Sequence, residues 1–143
     1  METINRQNVL DVLDNEWGNY ASNFQRLTPD AQAAFLEKQG YKRLADLLSH
    51  IAAWWEEGIK AIGNFRTDPD ARQPDIDVDI FNARAMEKVR DGGDDEVIQF
   101  FEKMRRKFVE VVMDLSDSDF RNERIVNQIK MELINHLEDH RIQ

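Results

Sequence analysis

Four stretches of this sequence repeat their apolar residues at alternating intervals of three and four positions. Because an α-helix has about 3.6 residues per turn, this spacing places the apolar side chains of each stretch along one helix face. The four faces consist of Leu10, Leu13, Trp17, Tyr20, Phe24 and Leu27; of Leu44, Leu48, Ile51, Trp55 and Ile62; of Val97, Phe101, Met104, Phe108, Val111 and Leu115; and of Val126, Ile129 and Leu133. Strand-like alternation is confined to residues 76–80. We therefore predict an all-α fold and, in its simplest form, a four-helix bundle.

The connections between these predicted helices constrain their directions. The third helix is joined to the fourth by about six residues, which makes those two helices antiparallel neighbours. Residues 66–93, between the second and third helices, contain Pro69, Pro74 and a short helix predicted near residues 81–90. This segment is long enough to let the second and third helices run parallel.

Local signals mark further helix ends. Thr28 and Pro29 are typical of a helix start and Gly40 of a helix end, so we predict another short helix between them. The acidic residues from Asp94 onwards suit the start of the third helix, because carboxylates stabilise a helix N-terminus. We expect a single domain over residues 1–143, since one core commonly serves about 100–150 residues.

The three histidines of the chain lie where the helical pattern can bring them together. Extending the fourth apolar face beyond Leu133 leads to His136 and His140, which are four residues apart and project from one side of a helix. His50 lies at the edge of the second apolar face, and it can meet this pair only if the second and fourth helices are antiparallel. The connection lengths allow the same arrangement, so two independent features agree.

Three neutral imidazoles are typical of an open, catalytic kind of metal site, since they leave coordination positions for water or substrate. Nitrogen ligands suit Zn²⁺, Ni²⁺, Fe²⁺ or Cu²⁺. A water bound in such a site ionises near neutral pH, and a bound thiol becomes a thiolate. Trp54 is a candidate for the substrate pocket and Glu57 for a general base. Asp46 and Glu132, each one turn before a candidate ligand, could accept hydrogen bonds from the outer imidazole nitrogens.

Each of these residues also has a simpler interpretation. A buried histidine can be a hydrogen-bonded core residue, and His140 can instead interact with the C-terminal end of the helix dipole. Trp54 and Trp55 can form the rim and core of a bundle, and Glu57 can be a solvated surface residue. The metal site is favoured because all three histidines can converge.

Composition excludes several classes of protein. The absence of cysteine excludes a disulfide scaffold, a Cys-type zinc ribbon and a cysteine nucleophile. The 28 acidic residues against 19 basic residues give a net charge of −9, which disfavours nucleic acid as a partner. No apolar run approaches the roughly 18 residues of a membrane span, and the N-terminal METINRQNVL does not resemble a signal peptide. We therefore expect a cytoplasmic protein that binds no membrane.

Three segments occur in an order and spacing that resemble the DinB/YfiT-like superfamily of metalloenzymes: residues 44–54 (LADLLSHIAAW), 75–83 (DIDVDIFNA) and 136–143 (HLEDHRIQ). The most specific element is the split triad, with one histidine in the second helix and His-x-x-x-His in the fourth. The acidic loop before Phe81 and Asn82 is also similar to the ClbS/DfsB branch of the same fold.

This resemblance implies an up-down-down-up bundle with a long crossover between the second and third helices, and it implies a homodimer. It also implies a divalent metal, Zn, Ni or Fe, held by His50, His136 and His140. The implied activity is that of a thiol transferase or hydrolase of the detoxification type, in which the metal activates water or a low-molecular-weight thiol against a small electrophilic substrate. The ClbS-like similarity implies an alternative, a non-catalytic protein that binds and sequesters a small molecule.

Overall fold

The computed structural model describes residues 4–72 and 75–142, and within these ranges the chain is helical and contains no strand. Pro74 and Gln143, which belong to the patterns above, lie outside the described residues. The α-helices are α1 (Arg6–Asp11), α2 (Tyr20–Gln25), α3 (Pro29–Gln39), α4 (Leu44–Thr67), α5 (Val78–Lys88), α6 (Asp94–Asp114), α7 (Glu123–Ile129) and α8 (His136–His140). Two π segments, π1 (Val12–Trp17) and π2 (Lys130–Asn135), and a short 3₁₀ turn (Asp119–Arg121) complete the chain. In the described ranges no helix is both long and apolar enough to cross a lipid bilayer.

Several helix ends lie where the sequence predicts them. The Thr28 hydroxyl accepts a hydrogen bond from the main-chain N–H of Ala31 at 3.2 Å and begins α3. Gly40 ends the same helix with a φ of 83°, a left-handed conformation that favours glycine. α6 begins at Asp94, as its acidic first turn predicts. The prediction of an all-α protein is confirmed.

The short helix in the crossover begins earlier than predicted. The Asp77 carboxylate accepts a hydrogen bond from the main-chain N–H of Ile80 at 3.1 Å, so α5 starts at Val78 instead of near residue 81. The alternating pattern of residues 76–80 therefore contains a loop followed by the first turn of a helix. An N-cap carboxylate stabilises this helix start more than the alternating apolar residues could stabilise an isolated strand.

The first and fourth predicted helices are not uniform α-helices, because each contains a π segment. In π2 the main-chain N–H of His136 bonds to the carbonyl of Met131, five residues earlier. The wider turn shifts the residues that face the core. Val9 is buried in place of Leu10, which is half-buried, and Ile125 is buried in place of Val126.

This shift corrects the predicted position of the two C-terminal histidines. The buried apolar residues of the last helical stretch are Ile125, Ile129, Leu133 and Leu137. A second, polar line runs beside them and consists of Gln128, Glu132, His136 and His140. Four residues cover slightly more than one turn of an α-helix and slightly less than one turn of a π-helix. Side chains spaced four residues apart therefore stay on nearly the same face through both kinds of helix. The histidines therefore lie beside the apolar line and not on it.

Two tryptophans hold the π2 segment at the centre of the core. The indole N–H of Trp17 donates to the carbonyl of Leu133 at 3.0 Å, and that of Trp55 donates to the carbonyl of Glu132 at 2.9 Å. Both side chains are fully buried, and their rings meet edge to face at 5.0 Å. Consecutive carbonyls of the π turn are thus bound by tryptophans from two different helices.

The helices α4 and α6 run in the same direction. At one end the main-chain N–H of Ala45 donates to the Asp94 carboxylate at 3.1 Å, and at the other end Arg66 pairs with Asp114 at 2.9 Å. The N-terminal ends of α4 and α6 are therefore neighbours, and so are their C-terminal ends. The long connection between the second and third predicted helices allows this arrangement.

The last helical stretch runs opposite to α4. The Arg124 guanidinium, near the start of this stretch, lies 4.7 Å from the ring centroid of Phe65, near the end of α4. Farther along, Trp55 binds the carbonyl of Glu132. The early turns of α4 are therefore placed beside α8, which brings His50 to the C-terminal histidines.

We expect Trp17→Phe and Trp55→Phe each to lower the free energy of unfolding by about 1–3 kcal/mol, because each leaves a buried carbonyl of π2 without its donor. Urea denaturation followed by circular dichroism measures this effect. Trp54→Phe, which removes a donor from a half-buried site, is the matched control and should cost less. Values for both core variants within about 0.5 kcal/mol of wild type would contradict the role of the two indoles.

Candidate metal centre

Three histidines from two helices form one cluster. His50 lies on α4, and His136 and His140 lie on α8. One potential ligand nitrogen from each ring lies within 4.8 Å of the others. The ring centroids are 5.1 Å apart for His50 and His140 and 5.7 Å apart for the other two pairs. All three histidines are half-buried.

The tautomer of His50 follows from its neighbours on α5 and α4. Its Nδ1 lies 3.0 Å from Oδ1 of Asn82, and the indole N–H of Trp54 donates to the same oxygen at 2.8 Å. Because an indole N–H can only donate, the shared atom of Asn82 must be an acceptor. Nδ1 of His50 is therefore the protonated nitrogen, and Nε2 carries the lone pair that can bind a metal.

The same reasoning applies to His140, whose partner is the last residue of α3. Its Nδ1 lies 2.7 Å from Oε1 of Gln39, while the amide nitrogen of Gln39 donates to the carbonyl of Asp139 at 3.2 Å. This second bond sets the orientation of the amide, so its oxygen faces the imidazole. Nδ1 of His140 donates, and Nε2 again carries the free lone pair.

His136 differs from the other two histidines. Its Nδ1 is shielded from solvent and makes no hydrogen bond of good geometry, and a weaker hydrogen bond with the main chain of Glu132 acts to raise the pKa of His136 against the effect of burial. Oε2 of Glu132, one turn earlier on the same polar line, is also shielded and lacks a partner. The Glu132 carboxyl packs against Gly58 of α4, where an added Cβ would lie only 2.5 Å from Oε2. A glycine at this position leaves the space that the carboxyl occupies.

Burial determines the charge of these groups. Burial and then the neighbouring imidazoles lower the pKa of His136 and of His140 to about 4. Burial also lowers the pKa of His50, although its hydrogen bond with Asn82 acts in the opposite direction. All three rings are thus neutral at pH 7, the state in which imidazole binds metal ions. Burial and then the charge of Glu57 raise the pKa of Glu132 to about 8.

Aromatic side chains surround the cluster on the side of His50. The ring of Tyr41 lies 5.8 Å from that of His50, centroid to centroid. Trp54, predicted as a pocket residue, lies one turn after His50 and stacks on Phe81 at 4.2 Å. These rings form an apolar wall beside the imidazoles, suited to the hydrophobic part of a small molecule.

Asp46, predicted to accept a hydrogen bond from His50, pairs with an arginine instead. Its carboxylate binds the guanidinium of Arg43 at 2.9 Å and does not bind His50. Arg43 is held in place by the carbonyls of Val89 and Gly92, each at 2.9 Å. A fixed cation three residues away is a stronger partner for a carboxylate than a neutral imidazole.

Glu57, the predicted general base, lies two turns after His50 and pairs with Lys60 at 3.3 Å. It lines a groove of about 560 Å³ between α4, α5 and α6, and none of the three histidines belongs to that lining. The structure therefore brings the histidines together and places Glu57 in a neighbouring groove.

The amides of Asn82 and Gln39 have no assigned role in the sequence analysis. Each comes from a short helix, and neither has a regular spacing from the histidine that it contacts. Asn82 does lie within the Phe-Asn element after the acidic loop, and Gln39 directly precedes the helix-ending Gly40. Only Gln39 therefore lies next to a helix boundary, and only the tertiary structure links either amide to an imidazole.

No family model, curated protein or solved structure matches this chain. Three neutral imidazoles converge from two helices, and amide oxygens hold two of them in the tautomer that leaves Nε2 free.

We expect the stability of the metal-free protein to be greatest near pH 6.5. Unfolded histidines, with an ordinary pKa of 6.5, bind protons that His136 and His140 exclude until about pH 4, so stability falls as the pH decreases from 6.5 to 4. Folded Glu132 keeps its proton up to about pH 8, whereas the unfolded carboxyl, with an ordinary pKa of 4.5, loses its proton at lower pH. This group therefore lowers the free energy of unfolding as the pH rises towards 8.

Thermal unfolding with a chelator present, from pH 4 to 9, measures this profile. Glu132→Gln cannot ionise, so it should keep the decline on the acid side and lose the decline between about pH 6.5 and 8. Parallel curves for wild type and Glu132→Gln over that range would show that the carboxyl is not held in its protonated form.

Proposed function

We propose that this protein is a metal-dependent enzyme of the DinB/YfiT-like kind, with a divalent transition metal bound through Nε2 of His50, His136 and His140. The observation that carries the proposal is the pair of amide oxygens, from Asn82 and Gln39, on the outer nitrogens of two of the rings. Outer acceptors of this type set the orientation of metal-binding imidazoles and make them better ligands. In both rings this hydrogen bond leaves Nε2 available to a metal ion.

The helix directions support the proposed four-helix, up-down-down-up arrangement. α4 and α6 are parallel, and α4 is antiparallel to the last helical stretch. The first helical stretch is parallel to the last, since Trp17 binds the carbonyl of Leu133 and the Tyr20 hydroxyl binds that of His140. The connection containing α5 is the crossover, and it delivers Asn82 to His50.

The ligand set suits Zn²⁺, Ni²⁺ or Fe²⁺, and three protein ligands leave coordination positions for another molecule. When bound, such a metal acidifies a coordinated water or thiol, so that hydroxide or thiolate is present near neutral pH. The chain keeps its three imidazoles neutral through burial, and Asn82 and Gln39 hold two of them in the binding tautomer. Trp54, which shares the Asn82 oxygen with His50, stacks on Phe81.

We propose a small electrophile as the substrate, bound with its apolar part against Tyr41, Trp54 and Phe81. The chain has no cysteine, so a thiol nucleophile has to enter as a separate low-molecular-weight molecule. A transferase would use that thiol and a hydrolase would use water. Glu57, in the neighbouring groove, is proposed as a base only for a substrate long enough to reach both places.

The groove that contains Glu57 favours a second candidate, a non-catalytic protein that sequesters a small molecule. Its lining combines apolar side chains such as Phe81 and Phe100 with the basic side chains of Lys60, Arg84 and Lys88 and the acidic side chains of Glu56 and Glu57. This surface suits an amphipathic small molecule and requires no metal. A ligand bound there should remain bound after the histidines are replaced.

We expect protein purified without a polyhistidine tag to contain about one transition-metal ion per chain, removable by chelators. Added Zn²⁺ or Ni²⁺ should raise the melting temperature of the stripped protein, because a ligand that binds the folded state stabilises it. His136→Ala with His140→Ala should abolish both effects, whereas Asn127→Ala, an exposed position on α7, should preserve them. Elemental analysis and thermal unfolding provide the readouts, and a wild-type chain that neither contains nor binds metal would refute the proposed site.

We expect the metal-loaded protein to accelerate the reaction of a low-molecular-weight thiol, or of water, with a small electrophile, and the stripped protein to lose this activity. A panel of thiols and electrophiles, assayed with and without restored metal, tests this expectation. Ligand binding that survives the double histidine change, without turnover by the metal-loaded wild type, would instead establish the sequestering function.

A further inference from the structure

The groove between α4, α5 and α6 has an aromatic side chain on two of its three helices. Phe81 of α5 and Phe100 of α6 both line it, and so do the small side chains of Ala53 and Ala85. Its volume of about 560 Å³ lies within the range of roughly 300–1,000 Å³ that is usual for small-molecule sites. Phe100 is 37% exposed, so covering its ring with the apolar part of a ligand is favourable.

The helix α5 runs antiparallel to α4, and this direction orders the groove along its length. The hydroxyl of Ser49 donates to the main-chain carbonyl of Ala85 at 2.8 Å. Farther along α4, the indole N–H of Trp54 donates to the side chain of Asn82, which lies earlier on α5. Arg84, next to Ala85, therefore lies beside the turn of α4 that contains Ser49.

Two basic side chains of the groove are without partners. Phe81, Arg84, Ala85 and Lys88 have the spacing of one helix face, and all four line the groove. Within residues 4–72 and 75–142, the side chains of Arg84 and Lys88 form no hydrogen bond and no ion pair. Their positive charges are therefore available to a ligand that lies along this face of α5.

The acidic side chains of the groove already have a cationic partner. The carboxylates of Glu56 and Glu57 lie 3.9 Å and 3.3 Å from Nζ of Lys60. Seven residues of α4 separate Ser49 from Glu56, which corresponds to about 10 Å along a helix. Because Arg84 lies beside Ser49, the paired acidic residues and the unpaired arginine occupy different parts of the groove.

Arg84 is better placed than Lys88 to bind an anion. Lys88 also lines a second groove that contains Asp91 and Glu96, and these carboxylates reduce the attraction of Lys88 for another anion. Arg84 does not line that second groove. A guanidinium also presents two parallel N–H donors that match the two oxygens of a carboxylate.

We propose that this groove binds a small amphipathic carboxylate, whose charged group pairs with Arg84 and whose apolar part lies between Phe81 and Phe100. Lys88 adds to the attraction from the next turn of α5. The proposal deepens the second candidate function, since it rests on the same groove and names the class of ligand. It requires no metal and no participation of the three histidines.

Three probes with the same apolar group test the ligand class: phenylbutyrate, phenylbutanol and phenylbutylamine. Their dissociation constants are measured by nuclear magnetic resonance titration of the full chain with a chelator present. Wild type should bind phenylbutyrate about 3–10-fold more tightly than phenylbutanol, because an exposed charge-assisted hydrogen bond adds this much, and phenylbutylamine most weakly. The signals of Phe81, Arg84 and Phe100 should shift as phenylbutyrate binds.

Substitutions at exposed positions separate charge from apolar contact. Arg84→Gln should remove the preference for phenylbutyrate and leave the affinity for phenylbutanol unchanged, whereas Arg84→Glu should make phenylbutylamine the preferred probe. Phe100→Ser should weaken the binding of all three probes. Arg90→Gln, which changes an exposed arginine outside the lining of the groove, is the matched control and should bind as wild type does.

Several results would overturn the proposal: no binding of any probe, equal affinity of wild type for phenylbutyrate and phenylbutanol, or equal effects of Arg84→Gln and Arg90→Gln. The variant with His136→Ala and His140→Ala should bind phenylbutyrate as wild type does. Loss of binding in that variant would place the probe at the histidines and also refute the groove. A chain that binds phenylbutyrate but no Zn²⁺ would refute the metal site alone, and the reverse result would refute the groove alone.

Discussion

The structure depends on two indole N–H groups that donate to consecutive carbonyls of one π turn. Trp17 and Trp55 come from different helices, yet they bind Leu133 and Glu132 side by side in the core. A π turn is intrinsically less favourable than an α turn and persists where its surroundings stabilise it. Here that turn keeps the polar line of Glu132, His136 and His140 facing α4. The position of the histidine cluster therefore follows from the packing of two aromatic rings in the core.

The sequence predicts most of the fold because helix periodicity and capping are local properties. The ends of α3 follow from Thr28 and Gly40, and the start of α6 follows from its acidic first turn. The π segments could not be predicted, since over a few residues their apolar spacing is indistinguishable from that of an α-helix. These segments displace the buried face by one residue, so Ile125 is buried where the sequence pattern predicts Val126.

The candidate site, too, is predicted by the sequence only where it depends on local spacing. The meeting of His50 with the C-terminal pair follows from a four-residue spacing together with the connection lengths. The outer partners do not follow from spacing, because Asn82 and Gln39 are delivered by short helices through tertiary contacts. Asp46 illustrates the limit, since a nearby arginine competes for its carboxylate. Burial of polar groups around the histidines is destabilising, and such burial is more typical of functional sites than of protein cores.

X-ray absorption spectroscopy of the zinc-loaded protein measures directly whether three imidazole nitrogens hold one metal ion. We expect three imidazole ligands, recognisable by the multiple scattering of their rings, with Zn–N distances of about 2.0–2.1 Å and the remaining coordination filled by oxygen. A coordination shell made only of oxygen, or one containing a single imidazole, would contradict the proposed site and leave the histidines as hydrogen-bonded residues of a helical core.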